Sequence, residues 1–224
     1  MKTKAQILSI VPMEVASRRR TDLHLARKVW HCCMGLFILA VYHLSGMSRA
    51  TGVMILGSFL AAFLTLETIR LNVPSFNTVA LRFWKPLMRE NEINRMSGVP
   101  YYIAACVLAI GVFPEPVATL CILYLAFGDP VASLIGILYG DRSIRFANGR
   151  SLIGTLASVT VCFLITLFYF SGFPFGSETI LAVSLLGGIA GGTAELLPLE
   201  VDDNFTIPVV SGIVLWGVMI AFGI

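Results

Sequence analysis

Apolar residues in this chain come in long unbroken runs rather than in alternation or in single helical stripes. Stretches 29–48, 50–66, 96–114, 151–177 and 204–224 contain no Asp, Glu, Lys or Arg. A helix that crosses a bilayer needs roughly 17–25 mostly apolar residues. The buried stripe of a soluble helix, or a core strand, needs far fewer in succession. The runs predict seven spans, at 29–45, 50–69, 99–113, 116–138, 152–171, 179–197 and 205–223. The third is short, and the fourth contains Asp129-Pro130. The predicted fold class is therefore all-α, a polytopic membrane protein. A basic segment, 1–28, precedes a single transmembrane domain, 29–224, with no repeat, linker or low-complexity stretch. Within 1–26, Ile7, Leu8, Ile10, Val11 and Val15 lie among Lys and Arg, which predicts a short amphipathic surface helix interrupted at Pro12.

Composition sharpens this picture. Of 224 residues, 57% are hydrophobic and 13% charged, with a mean hydropathy of +0.84. A soluble domain carries about 25% charged residues, so there is too little charge here to cover a water-facing surface. That excludes a soluble enzyme, a disordered chain and a nucleic-acid-binding module. Cys32, Cys33, Cys106, Cys121 and Cys162 all lie in apolar runs, without zinc-site spacing, and are expected to pack as small apolar residues. No short apolar core followed by a small-residue cleavage site marks a signal peptide, so a prokaryotic plasma membrane is the expected location.

The distribution of charge matters more than the net +3. With the N-terminus inside and seven spans, 15 of the 16 basic residues fall in inside segments, and only Arg49 falls outside. The positive-inside rule thus predicts an N-in, C-out protein. The longer inside loops, 70–98 and 139–151, are where polar chemistry is expected. Spans four and six carry rows of small residues at every fourth position: Gly128, Ala132, Gly136 and Gly140, then Gly187 and Gly191 leading to Glu195. Such rows share a helix face and allow close packing.

Carboxylates near or inside spans need a reason, because Asp at mid-span costs roughly 2.5–3.5 kcal/mol on insertion scales. Glu67 and Arg70 end span two on one face; Asp129 lies inside span four; Glu195 ends span six; Asp202 and Asp203 open span seven. The predicted topology brings all of them to the inner face. Asp129-Pro130 is a good N-cap and N1 pair, which predicts a break in span four. Neither Asp129 nor Asp202-Asp203 has a basic neighbour within its own helical turn, which leaves a cation or a partner helix to neutralise it. Hard oxygen ligands of this kind suit Mg²⁺. Spans one, three, five and seven begin at the same face, and their free N–H groups favour phosphate. Metal-holding carboxylates, basic loops and helix starts together fit a nucleoside triphosphate, although no Walker A motif or kinase Gly-rich loop is present.

The ordered motifs resemble a known family. They are Arg27-Lys28-x-x-His31-x-x-x-Gly35, Glu67-x-x-Arg70, Arg89-Glu90-x-Glu92-x-x-Arg95-x-x-Gly98-x-Pro100-Tyr101-Tyr102, Gly128-Asp129-Pro130-x-Ala132-Ser133-x-x-Gly136-x-x-x-Gly140, Arg150-Ser151-x-x-Gly154-Thr155, Glu195, and Asp202-Asp203-Asn204-x-x-x-Pro208. Together they resemble the CTP-dependent membrane lipid kinases (dolichol kinase, phytol kinase, CTP-dependent diacylglycerol kinase), which look related to the phosphatidate cytidylyltransferases. Relatives commonly carry Lys where Arg150 stands and an aromatic residue where Pro130 stands. The resemblance implies transfer of the CTP γ-phosphate to the hydroxyl of a lipid alcohol in the bilayer. In that reading Asp129, Asp202 and Asp203 hold Mg²⁺. Arg142, Arg145, Arg150 and Ser151 bind phosphate, Arg70 adds positive charge beside it, and Asn204 supports the Asp pair. Arg89, Glu92 and Arg95 contact cytosine or phosphate. Glu195, Glu67 or one of the Asp pair takes the hydroxyl proton, and His31 is either a packing residue or part of the site. Two other readings stand beside it: a cytidylyltransferase that releases pyrophosphate, and a transporter or channel with buried carboxylates. The tail of the lipid and the oligomeric state are not specified by the sequence.

Overall fold

The structure, a computed structural model, describes residues 24–146, 148–197, 199 and 201–224. The expected surface helix in 1–26 lies almost wholly outside these residues. Nine α-helices form among them: α1 Leu25–Leu44, α2 Arg49–Asn72, α3 Pro74–Trp84, α4 Gly98–Val112, α5 Glu115–Leu123, α6 Asp129–Tyr139, α7 Leu152–Phe170, α8 Ser177–Thr193 and α9 Asp203–Phe222. No strand forms among the described residues apart from a single Arg145–Ser151 bridge. A helix stands at each of the seven predicted spans. Six are long and apolar enough to cross a membrane, counting Glu115–Arg142 as one, and the other, α4, has 15 residues. The protein is thus an all-α, polytopic membrane protein.

The centre of the bundle is the α5 segment and the turn after it, where Leu120, Cys121, Tyr124 and Leu125 are wholly buried. Helices α1, α4, α6, α7, α8 and α9 surround this segment, while α2 lies outside against α4. The rim faces outward with large apolar side chains, among them Phe37, Phe59, Phe168 and Ile220. So much exposed apolar surface suits lipid rather than water. The small-residue rows seat helices closely. A Cβ on Gly188 would lie 2.8 Å from the Phe163 Cβ, and one on Gly128 would lie 2.9 Å from the Cys162 sulfur. The α7–α8 and α6–α7 seams depend on these glycines.

The predicted break at Asp129-Pro130 is not found. Instead α5 runs into α6 through a π turn, Tyr124–Gly128, in which the Asp129 N–H donates to the Tyr124 carbonyl. Gly128 and Asp129 both keep right-handed helical angles, so Asp129 caps nothing. Pro130 is tolerated because it lies in the first turn of α6, where its missing N–H matters little. Helix α3, inside the expected 70–98 loop, was not anticipated; it starts with Pro74 and exposes Val79 and Phe83 beside Arg82.

Candidate active site

Helix α2 ends, and α1, α4, α7 and α9 begin, at one end of the bundle, and two clusters of charge lie there. The first is built around Arg70, which is wholly buried. Its guanidinium donates to both Glu67 oxygens, Nε to Oε1 at 3.1 Å and Nη2 to Oε2 at 2.8 Å. It also donates to the carbonyls of Ile93, Glu92 and Arg95 at 2.9, 3.1 and 2.6 Å, and to Asn77 Oδ1 at 3.2 Å. Glu67 Oε2 accepts in addition from the Ser97 N–H at 2.8 Å. Arg27 donates to both oxygens of Glu92 at 2.9 and 3.0 Å, and Glu92 accepts from the Arg89 N–H at 3.0 Å. This cluster ties the 85–98 loop to α1 and α2. Glu67, Arg70 and Glu92, expected at the site as catalytic or nucleotide-binding residues, are engaged in holding that loop.

The second cluster is built around Arg150, just before α7. Its Nη2 pairs with Asp203 Oδ2, and its Nη1 lies 3.3 Å from Glu195 Oε2. Burial alone would lower its pKa, but the Asp203, Glu195 and Asp129 carboxylates outweigh burial and raise it. Arg89 lies 3.5 Å from Asp202 Oδ2 and 4.0 Å from Asp203 Oδ2. Glu195 Oε1 accepts from the Thr155 hydroxyl at 3.2 Å, while its Oε2, though buried, accepts no hydrogen bond. Asp202 Oδ1 accepts from the Asn204 N–H at 3.0 Å as the N-cap of α9. Asn204 Nδ2 donates to the Gly98 carbonyl at 3.0 Å, and its Oδ1 is buried without a partner. Asp129 accepts no hydrogen bond among the described residues; His31 Nδ1, itself buried and unbonded, lies 3.7 Å from its Oδ2.

Three cavities join here. The largest, about 310 Å³, lies between α6 and α7 and is lined by Ser133, Gly136, Arg145, Arg150, Ser151 and Glu195 among others. A smaller one of about 60 Å³ shares Ser133 and Arg150 with it and adds Asp129, His31, Lys28 and Arg89. A third, of about 140 Å³, shares Arg27 and His31 with the second and reaches Asn204, Trp30 and Phe63. Carboxylates and cations facing cavities at helix starts form a site suited to an anionic, phosphate-bearing ligand.

Asp129, Glu195, Asp203, Arg89, Arg150 and Ser151 therefore come together, with Asp202 and Asn204 behind them. Ser151 also caps α7, accepting from the Gly154 N–H. Arg145 lines the large cavity but is exposed and pairs with Asp141 at 3.0 Å. Arg142 and Arg95 are exposed, and only the backbone carbonyl of Arg95 is used, by Arg70. Asp129, Asp202 and Asp203 do not close into a three-ligand metal site; among the described residues no group of three or more His, Cys, Asp or Glu is arranged to hold a metal. Thr155 and Asn148 escaped sequence reasoning as partners of Glu195. Thr155 stood within a quoted motif without a role, whereas nothing in the sequence pointed to Asn148. Glu115, expected to be a free surface charge, lies 3.2 Å from His43 at the opposite end of the bundle.

Comparison with known proteins finds relatives for nearly the whole chain. It is 32% identical over 206 residues to CTP-dependent diacylglycerol kinase 1 of Schizosaccharomyces pombe, covering 86% of this chain and 92% of that protein. It is 32% identical over 211 residues to CTP-dependent diacylglycerol kinase 1 of Eremothecium gossypii, covering 86% of this chain and 66% of that one. It is 29% identical over 214 residues to the probable phytol kinase 3, chloroplastic, of Glycine max, covering 88% of this chain and 64% of that protein. No family model and no solved structure matches the chain.

Proposed function

Because the chain belongs to the family of CTP-dependent lipid kinases, we propose that it transfers the γ-phosphate of CTP to the hydroxyl of a membrane lipid alcohol. The observation that carries this reading is Arg150, held between Glu195 and Asp203 at the α6–α7 cavity. A triphosphate entering there offers Arg150 and Arg89 a stronger anion than the carboxylates they pair with. Ser151 and Arg145 line the same cavity and add donors to the phosphate oxygens.

Magnesium suits the remaining donors. It takes one or two carboxylates with phosphate oxygens and water, and adjacent Asp202 and Asp203, beside the unpartnered Asn204 Oδ1, supply hard oxygens of that kind. When bound, it would neutralise charge on the phosphates. The chain's own residues do the rest. Arg150 and Arg89 orient the γ-phosphate, and Asp129, whose oxygens accept no hydrogen bond among the described residues, takes the hydroxyl proton. The lipid oxygen bonds to the γ-phosphorus, the bond from that phosphorus to the β,γ-bridging oxygen breaks, and CDP leaves. Glu67, Arg70, Arg27 and Glu92 position the loop that carries Arg89.

The experiment is incubation of purified protein with dioleoylglycerol or phytol and CTP labelled at the α or the γ position. The γ label is expected in the lipid. The α label in the lipid would favour a cytidylyltransferase, and equal use of ATP would overturn the choice of nucleotide. We place this site at the cytoplasmic face, with seven spans, N-in and C-out, because that orientation puts 15 of 16 basic residues inside. A C-terminal reporter active only in the cytoplasm is then expected to be silent. The relatives compared are fungal and plant proteins, so a prokaryotic plasma membrane rests on the sequence alone.

A further inference from the structure

We propose that a groove between α1 and α2 seats the hydrocarbon tail of the lipid alcohol and leads its hydroxyl end to the cavity beside His31. The inference rests on the kinase reading and adds a substrate seat to it.

Helices α1 and α2 make little contact with each other; α2 packs on α4 and α1 on the π turn and α5. The gap between them is a groove of about 290 Å³ lined by apolar and aromatic side chains. Its floor is Ile38, Ile103 and Ile110, all buried, and its open side carries Phe37, Ile55 and Phe59, all exposed. The groove runs along α2 from Gly52 to Phe63, a rise of about 16 Å at 1.5 Å per residue. That matches one leaflet, half of a hydrocarbon core about 30 Å thick. At Gly52 a Cβ would lie 3.1 Å from the Tyr42 ring, so the wall is close-fitting at the far end.

An apolar groove on a membrane protein is by itself unremarkable, since bulk lipid can fill it. What singles this one out is where it ends. Phe63 lines both the groove and the 140 Å³ cavity that holds Arg27, His31 and Asn204. His31 and Arg27 also line the Asp129 cavity, which in turn shares Arg150 with the large α6–α7 cavity. A path of adjoining cavities therefore connects the bilayer to the cluster assigned to phosphate. Two buried polar atoms without hydrogen-bond partners, Asn204 Oδ1 and His31 Nδ1, belong to residues lining the segment a hydroxyl would enter. Trp30 and Trp84 flank the same segment, as aromatic residues do at a membrane–water boundary. A ligand apolar for about 16 Å and polar at one end is what this sequence of surfaces complements.

The test fills the groove from its open side. Ile55→Trp is expected to raise the KM for dioleoylglycerol at least tenfold, with kcat nearly unchanged and the KM for dihexanoylglycerol altered less than twofold. Phe168→Trp, on the exposed face of α7, is the control and is expected to behave as the parent. Equal effects of Ile55→Trp on both chain lengths, or no effect on either, would overturn the seat. Independently of turnover, a diacylglycerol with a diazirine at mid-chain is expected to label peptides of α1 and α2, and excess dioleoylglycerol to compete. Labelling confined to α7 and α8 would also overturn it. If the parent transfers no phosphate from CTP, the kinase reading fails, while the labelling still decides whether the groove holds the tail.

Discussion

Two clusters of Arg, Asp and Glu stand at the same end of the bundle, and they differ in how completely their atoms are used. Around Arg70, three guanidinium nitrogens donate to six acceptors, and both Glu67 oxygens accept. Around Arg150, the Glu195 Oε2, Asn204 Oδ1 and His31 Nδ1 atoms are buried without hydrogen bonds, and cavities adjoin them. A buried charge network that is fully satisfied holds structure in place. One left with unmatched atoms beside open space has unused interaction free energy for a ligand. Charge count and burial alone would not separate the two; the accounting of partners does.

The strongest way to break the comparison is to remove the centre of the satisfied cluster. Arg70→Ala leaves Glu67 buried and uncompensated and is expected to destabilise the protein by about 3–5 kcal/mol. Thermal unfolding in detergent checks this, and an Arg70→Ala protein as stable as the parent that no longer binds CTP would move Arg70 into the site. Next in size, Asp129→Asn and Asp203→Asn are each expected to lower turnover at least 100-fold, about 2.7 kcal/mol of barrier, while unfolding near the parental temperature. Glu178→Gln, exposed at the opposite end, serves as the control and should turn over normally. Either Asp variant keeping more than a tenth of parental activity would remove that residue from the mechanism. The smallest effect sharpens the picture at Arg150. Arg150→Lys keeps a charge but loses the two-pronged reach to Glu195 and Asp203. It is expected to raise the KM for CTP about tenfold, roughly 1.4 kcal/mol, with little change in kcat.

The seven apolar runs were legible because each is long enough that lipid contact alone demands a helix. Even the shortness of α4 could be seen in advance. Charged positions could be located but not paired. Arg150 and Asp203 are 53 residues apart and Arg27 and Glu92 are 65 apart. Such pairings depend on how helices pack, which no local pattern encodes. So Glu67, Arg70 and Glu92 looked like site residues, while the partners that hold them to a loop were invisible. Helix α3 was missed for a related reason: polar and apolar residues mix in it, as expected at an interface, and the charge count of the 70–98 stretch suggested a loop. At Asp129-Pro130 the sequence supplied a cap-like dipeptide. What decided the outcome was Asp129 donating its N–H five residues back, a choice made by the packing of Tyr124 and Leu125 in the centre.

That π turn acts as a phase shifter. In an α-helix each residue advances about 100° around the axis, and a π turn accommodates one extra residue without ending the helix. Deleting a single residue between 124 and 128 would let α5 and α6 run as one regular helix, with everything beyond it rotated by about 100°. Asp129, Ser133 and Gly136 would turn away together from His31, Arg150 and Ser151, while the apolar face of α5 stayed where it is. An angular offset built into one turn thus lets a single rod present a greasy face at its first half and a chemically active face at its second. A change of length there, with no change in the identity of any remaining side chain, would separate the two.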